Sequence, residues 1–249
     1  MYKLIINLIM VCLFITGCTA WKSTKNFYKE YINSDPEIDL QANGLDNKQE
    51  EYFAKILYPM DRQLSDVLHR LDVQDSYPDE VWFEQMLKDF PWLNGVAAID
   101  RNGHILFKRS AYSMKALDFS VLFTKRLRVN EPKVRVCVQD SVLGPEVYLG
   151  RPFFRNNQVQ GFLVVHFDPR TWASLSPRPE ELAIIAEGKL IWAGKYGELS
   201  KLFTQRNRTE MLKNSVFGKL EVKDRNFYWF SRALEENWLI YLMAESKGG

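Results

Sequence analysis

Three histidines and a cluster of cationic side chains are the residues of this 249-residue chain with the most evident chemistry. His69, His104 and His166 are candidate proton carriers or metal ligands, because imidazole titrates near neutral pH and binds metals through either nitrogen. None has a second ligand at helical or hairpin spacing, so no metal site is expected. His166 interrupts the apolar run Leu163-Val164-Val165-His166-Phe167. It is either a hydrogen-bonded core residue or part of a pocket wall, where it would meet an anion when protonated or accept a hydrogen bond when neutral. Arg109, Lys115, Lys125, Arg126 and Arg128 form a basic stretch, with Tyr148 and Arg151 further on. The planar fork of arginine donates two parallel hydrogen bonds to carboxylate or phosphate, which suits a small anionic ligand. The same cations could instead face solvent or the acidic segment 30–90, which holds 15 acids against 5 lysines and arginines. Both readings stay open. There is no Gly-x-Ser-x-Gly elbow, no phosphate-cradling glycine loop and no His-Glu-x-x-His, so no catalytic residue and no cofactor are expected. Cys137, between Val136 and Val138, reads as a half-buried, inert thiol.

The N-terminus carries another kind of signal. After Met1-Tyr2-Lys3, the twelve residues Leu4 to Ile15 include one polar side chain, Asn7. A membrane span needs roughly 20 apolar residues, so this run is too short, and it matches the core of a secretory signal. The following Ile15-Thr16-Gly17-Cys18 resembles the bacterial lipobox, which implies cleavage before Cys18 and acylation of its sulfur. Two or three acyl chains anchor stably, at about 0.8 kcal/mol per buried methylene. Thr19 stands where an Asp would favour inner-membrane retention, so the outer membrane is favoured if the cell has one. The expected location is the cell envelope, facing away from the cytoplasm. With Cys18 lipidated, Cys137 has no internal disulfide partner. A net charge of +2 on an exported chain gives no reason to expect nucleic acid as a partner.

The elements that must position these residues read in order. Residues 18–45 lack sustained periodicity and form a tether. Phe53, Ile56, Leu57, Met60, Leu64, Val67, Leu68 and Leu71 recur at three- and four-residue steps, one stripe of a long helix begun at Asp46 and kinked at Pro59. A second helix fits Asp79 to Phe90, with Trp82, Met86, Leu87 and Phe90 on one face. Val96–Ile99, the turn Asp100-Arg101-Asn102-Gly103 and Ile105–Phe107 then predict a β-hairpin. A helix and loop over 110–130 precede strands at 134–138, 147–154 and 161–167, the last two joined at Asn156-Asn157. Past a turn-rich boundary the order repeats: a hairpin over 182–192, a helical stretch at 198–212, and strands at 218–222, 227–232 and 238–244. This predicts an α+β fold with two PAS-like modules, each an antiparallel sheet with helices on one face.

Several stretches carry a family resemblance: Phe90-Pro91-Trp92-Leu93-Asn94-Gly95-Val96 before Ile99-Asp100-Arg101-Asn102-Gly103, Leu149-Gly150-Arg151-Pro152-Phe153, Gly161-Phe162-Leu163-Val164-Val165, and Asn237-Trp238-Leu239-Ile240-Tyr241. In these the chain resembles the extracellular Cache sensor family in its double form, over roughly residues 46–245. The resemblance implies a long N-terminal helix, a distal module that binds a small molecule and a proximal module that passes the result on. It also implies a ligand-facing wall in the basic stretch. Arg109, Arg126, Tyr148, Arg151 and His166 are the candidate ligand-binding residues. Amino-acid-binding members have an Arg-x-Trp-Tyr cluster, absent from 109–130, and an Asp where this chain has His166, with Asp168 two residues later. Amino-acid recognition is therefore not expected.

The expected organisation is a lipoprotein signal peptide (1–17), a tether (18–45), the helix plus distal module (46–172), a linker (173–181) and a smaller proximal module (182–249). The expected function is non-enzymatic: a membrane-anchored protein without an output domain that binds a small, anionic ligand or a partner protein. The alternative is a structural or assembly lipoprotein of an envelope complex with no ligand.

Overall fold

The computed structural model describes residues 48–110, 114–123, 134–156, 158–197, 216–234 and 237–245. The expectations for the signal peptide, Cys18, the tether, Arg126 and the helix at 198–212 lie outside the described residues. Helix α1, Lys48–Asp72, buries Phe53, Ile56, Leu57, Met60, Leu64, Val67 and Leu71, with Leu68 half-buried, and it continues past Pro59. Each such side chain contributes about 1.5 to 3 kcal/mol when fully buried. Helix α2, Glu80–Asp89, begins at Asp79, whose carboxylate accepts the Trp82 amide at 2.9 Å. Its buried residues are Phe83 and Met86, with Trp82 only partly covered. Phe83 displaces Trp82 from the expected role because it stacks on Phe107 at 4.2 Å.

Five strands follow: β1 Gly95–Asp100, β2 Ile105–Ser110, β3 Arg135–Gln139, β4 Glu146–Arg155 and β5 Gln158–Phe167. They form one antiparallel sheet in the order β2-β1-β5-β4-β3. A short helix α3, Pro169–Ala173, leads to β6 Ala183–Ala186, β7 Lys189–Trp192, β8 Phe217–Val222, β9 Arg225–Leu234 and β10 Asn237–Ala244. These pair as β7-β6-β10-β9-β8, the same order again. The repeat read from the sequence is thus a repeat of topology: a hairpin, then three strands whose last inserts beside the first.

Helix α1 packs into a core that takes side chains from both sheets, among them Val96, Leu149, Leu163 and Val165 of the first and Ile184, Leu239, Tyr241 and Met243 of the second. Trp172 on α3 donates its indole N–H to the Met60 carbonyl at 3.0 Å, and Ser176 donates to the Ile56 carbonyl at 2.8 Å. The first sheet departs from the expectation of helices on one face. Its opposite face is covered by a 3-10 helix, Phe119–Phe123, packed on Ala97, Ile99, Cys137, Tyr148, Phe162 and Val164. Central strands that are apolar on both faces need cover on both.

Candidate functional site

The ends of β4 and β5 carry a polar network within an otherwise apolar sheet. Glu146, the first residue of β4, and His166, near the end of β5, are both buried. His166 Nδ1 lies 2.7 Å from Glu146 Oε1. Asn94, just before β1, donates its amide to both Glu146 oxygens at 3.0 and 3.2 Å. Lys115, from the irregular segment ahead of the 3-10 helix, places its ammonium 2.9 Å from Glu146 and 2.7 Å from Asp168. Asp168 caps α3 by accepting the Arg170 amide at 2.8 Å and also takes the Arg170 guanidinium. Register explains the convergence. Tyr148 pairs with His166 across β4 and β5, and Gly95 pairs with His166 across β1 and β5.

The electrostatics follow from this geometry. Burial opposes ionisation of Glu146, but hydrogen bonds from His166 and Lys115 outweigh it and hold the carboxyl below its ordinary range. The same contest at Asp168, with Arg170 and Lys115 as donors, brings its carboxyl down to about 2. Burial pushes the Tyr148 phenol upward, so it stays protonated and donates to Gln139 Oε1.

His166 Nε2 is buried and has no hydrogen-bond partner among the described residues. A Cβ built on Gly95 would lie 2.4 Å from that nitrogen, so the glycine leaves the room the imidazole occupies beside β1. Among the described residues, no group of three His, Cys, Asp or Glu is placed to hold a metal ion.

Of the candidates from the sequence, Tyr148 and His166 lie together on the face covered by the 3-10 helix, with ring centroids 6.0 Å apart. Arg151 does not join them. It projects to the helix side of the sheet, where Asp72 and Asp75 bind its guanidinium at 2.7 and 2.9 Å. Arg109, on β2, is half-exposed and pairs with Glu84 of α2 at 3.0 Å. Alternation along β4 is the reason: Arg151 is an odd number of residues from Tyr148 and so points the other way. Of the basic stretch, Lys115 reaches the site, held between two carboxylates, while Arg170 is committed to Asp168 from its exposed side. Glu146, Asn94 and Gln139 went unassigned in the sequence, where only the opening of a predicted strand by an acid hinted at Glu146.

No family model matches the chain, and no curated protein matches it. Solved structures do. The ligand-binding domain of the Pseudomonas aeruginosa PAO1 amino acid chemoreceptor PctC, in complex with GABA, is 14% identical, with 80% of this chain and 100% of that one covered and a TM-score of 0.49. The ligand-binding domain of the Campylobacter jejuni chemoreceptor Tlp3, in complex with L-valine, is 12% identical, with 82% and 98% covered and a TM-score of 0.41. An extracellular ligand binding receptor from Desulfohalobium retbaense DSM5692 is 15% identical at a TM-score of 0.45 over 76% of this chain, which spans 37% of that receptor's length. The neighbours are sensor domains. The fold itself rests on the doubled strand order, and no helix among the described residues is long and apolar enough to cross a membrane.

Proposed function

We propose that this chain is an extracytoplasmic lipoprotein, acylated on Cys18, that binds a small molecule through its first Cache-like module and acts by contact with other envelope components. The observation that carries the reading is the buried network of Glu146, His166, Lys115 and Asp168 at the ends of β4 and β5. Burying charged groups costs several kcal/mol each even when they are paired, and an apolar filling would hold the sheet as well. Perturbed carboxylates beside an imidazole nitrogen with no partner among the described residues mark this cluster as the candidate binding site.

Of the cations expected to meet an anionic ligand, Arg109 and Arg151 are paired with acids away from this network, and Lys125, Arg126 and Arg128 lie outside the described residues. The ligand class is therefore left to the test. Thermal unfolding of the mature protein should be followed against a panel of amines, carboxylates, amino acids and neutral solutes, with GABA and L-valine included. At least one compound should raise the midpoint by several degrees, and Glu146→Gln should remove the rise. A flat response across the panel would reject ligand binding.

The alternative, an assembly role, draws on Ile105 and Leu106, each 52% exposed on the edge strand β2. Apolar side chains on an uncovered edge are a common basis for pairing with another chain. Detergent co-purification of a partner lost on replacing both residues with Lys, together with a flat ligand panel, would favour that role.

A further inference from the structure

Strand β3 is an outer strand of its sheet, so alternate backbone groups point away from β4 and need partners elsewhere. The second module supplies them. Glu187 Oε2 accepts the Val138 amide at 2.9 Å, Asn237 donates to the Val136 carbonyl at 3.0 Å, and Lys189 donates to the Val138 carbonyl at 3.4 Å. Lys189 also pairs with Asp140 at 2.6 Å, and the Asn237 amide reaches the other Glu187 oxygen at 3.4 Å. Glu187 and Gly188 form the turn between β6 and β7, with φ of 50° and 77°. Positive φ at a glutamate is unfavourable, and asparagine would suit such a turn better. The side chain that justifies the strain is the one that reaches Val138.

The residue next to Val138 faces the candidate site. Gln139 Oε1 accepts the Asp118 amide at 3.1 Å and the Tyr148 hydroxyl, and its Nε2 donates to the Ala116 carbonyl at 3.3 Å. Segment 115–118 is thus held at one point by the Lys115 ammonium between Glu146 and Asp168, and at two others by Gln139.

We propose that Gln139 and Glu187 form a relay, in which displacement of segment 115–118 shifts the end of β3 and is felt in the β6–β7 turn of the second module. The relay concerns the consequence of events at the site described above and rests on that site being where ligand acts, but it is tested without any ligand. Helix α1 also touches both modules, so the experiment must separate the two routes.

Residue-level amide exchange on the mature protein does so. Lys115→Met keeps the aliphatic stem and removes the ammonium. It should speed exchange at least threefold at 115–118, at Val138 and at 187–190. In a Gln139→Leu background the response at 115–118 should persist and the response at 187–190 should vanish. Should Lys115→Met not fold, Asp168→Asn loosens the same ammonium and carries the same expectations. Glu187→Asn, which relieves the turn but is too short to reach, should speed exchange of the Val138 amide at least tenfold while 188–190 stay protected. A second module that fails to respond, or responds equally without Gln139, would overturn the relay. So would an unchanged Val138 amide in Glu187→Asn. A silent relay beside a positive ligand panel rejects this inference alone, and a flat panel rejects the binding reading alone.

Discussion

Arg232 on β9 and Asp61 on α1 form a buried bidentate ion pair across 171 positions of chain. The guanidinium donates to the two carboxylate oxygens at 2.8 and 2.6 Å, and Tyr241 adds a third hydrogen bond at 3.1 Å. The pair fixes the rotation of α1 against the second sheet, because only one face of the helix can present a carboxylate to that guanidinium. Removing one partner leaves the other charge buried and unmatched, at a cost of roughly 3 to 5 kcal/mol. Arg232→Met should lower stability by that amount in urea unfolding. Replacing Asp61 by Leu in the same chain should recover most of it, since the uncompensated charge is then gone. A loss below about 1 kcal/mol in the single variant would mean that the pair is solvated in solution.

Asp168 makes stability depend on acid. Its carboxyl, ordinarily near 3.8, is brought to about 2 in the folded state, where donors from Arg170 and Lys115 outweigh burial. A folded-state value below the unfolded one means that the stabilisation is complete above about pH 4 and disappears as pH falls through about 2. With the side chain 8% exposed, the contribution is about 2 kcal/mol. Glu146 acts in the same direction below its ordinary 4.5. Asp168→Asn should therefore be less stable than the parent at pH 7 and nearly equal to it at pH 2. Curves that stay parallel over that range would remove the carboxylate from the account.

Much of the architecture was legible because it depends on period. The three- and four-residue steps of α1, the continuous apolar runs of β4 and β5, and the second hairpin after Leu182 each report local geometry that a side-chain pattern must obey. The site was legible only where it interrupted such a pattern, as His166 does in β5. Lys115, Glu146 and Asp168 meet because two strand ends and an irregular segment converge, and separations of 31 and 53 residues leave no mark on a linear pattern. Arg151 misled for the same reason. It lies on a strand of the site, yet its partners Asp72 and Asp75 are on the opposite side. The turn at 100–103 closes the expected hairpin between β1 and β2. Gly103 has positive φ while Asp100 Oδ1, accepting from Asn102 and His104 at 2.8 and 2.9 Å, organises the rest.

Gly161 tests how closely β5 and β1 approach. It stands next to a register shift opposite Phe153 and Phe154, and a Cβ added there would lie 1.8 Å from the Ile99 carbonyl oxygen. That atom is backbone, so the clash is relieved only by moving a central strand. Gly161→Ala should cost more than about 4 kcal/mol, at the upper end of what single substitutions do. Gly197→Ala, with nothing within 4 Å, should change stability by less than about 0.5 kcal/mol. Comparable denaturation midpoints for the two variants would contradict the strand spacing.

The anchor is tested through mass and partitioning together. Acylation of Cys18 would replace the apolar leader by two or three chains, each methylene adding about 0.8 kcal/mol of membrane affinity. Cys18→Ser cannot form the thioether that carries the lipid, so it should leave the leader attached or release a soluble product, and in neither case should acyl mass appear. In the parent chain, mass spectrometry of the mature N-terminus should give a diacylglyceryl-modified cysteine at position 18 with the preceding 17 residues gone. Detergent phase separation distinguishes the outcomes, since the lipidated form enters the detergent phase and the folded part alone does not. A parent protein that keeps residues 1–17, carries no fatty acyl group and still sediments with membranes would require another means of attachment. The proposal that the folded part works by contact from a lipid-held position would then have to be replaced.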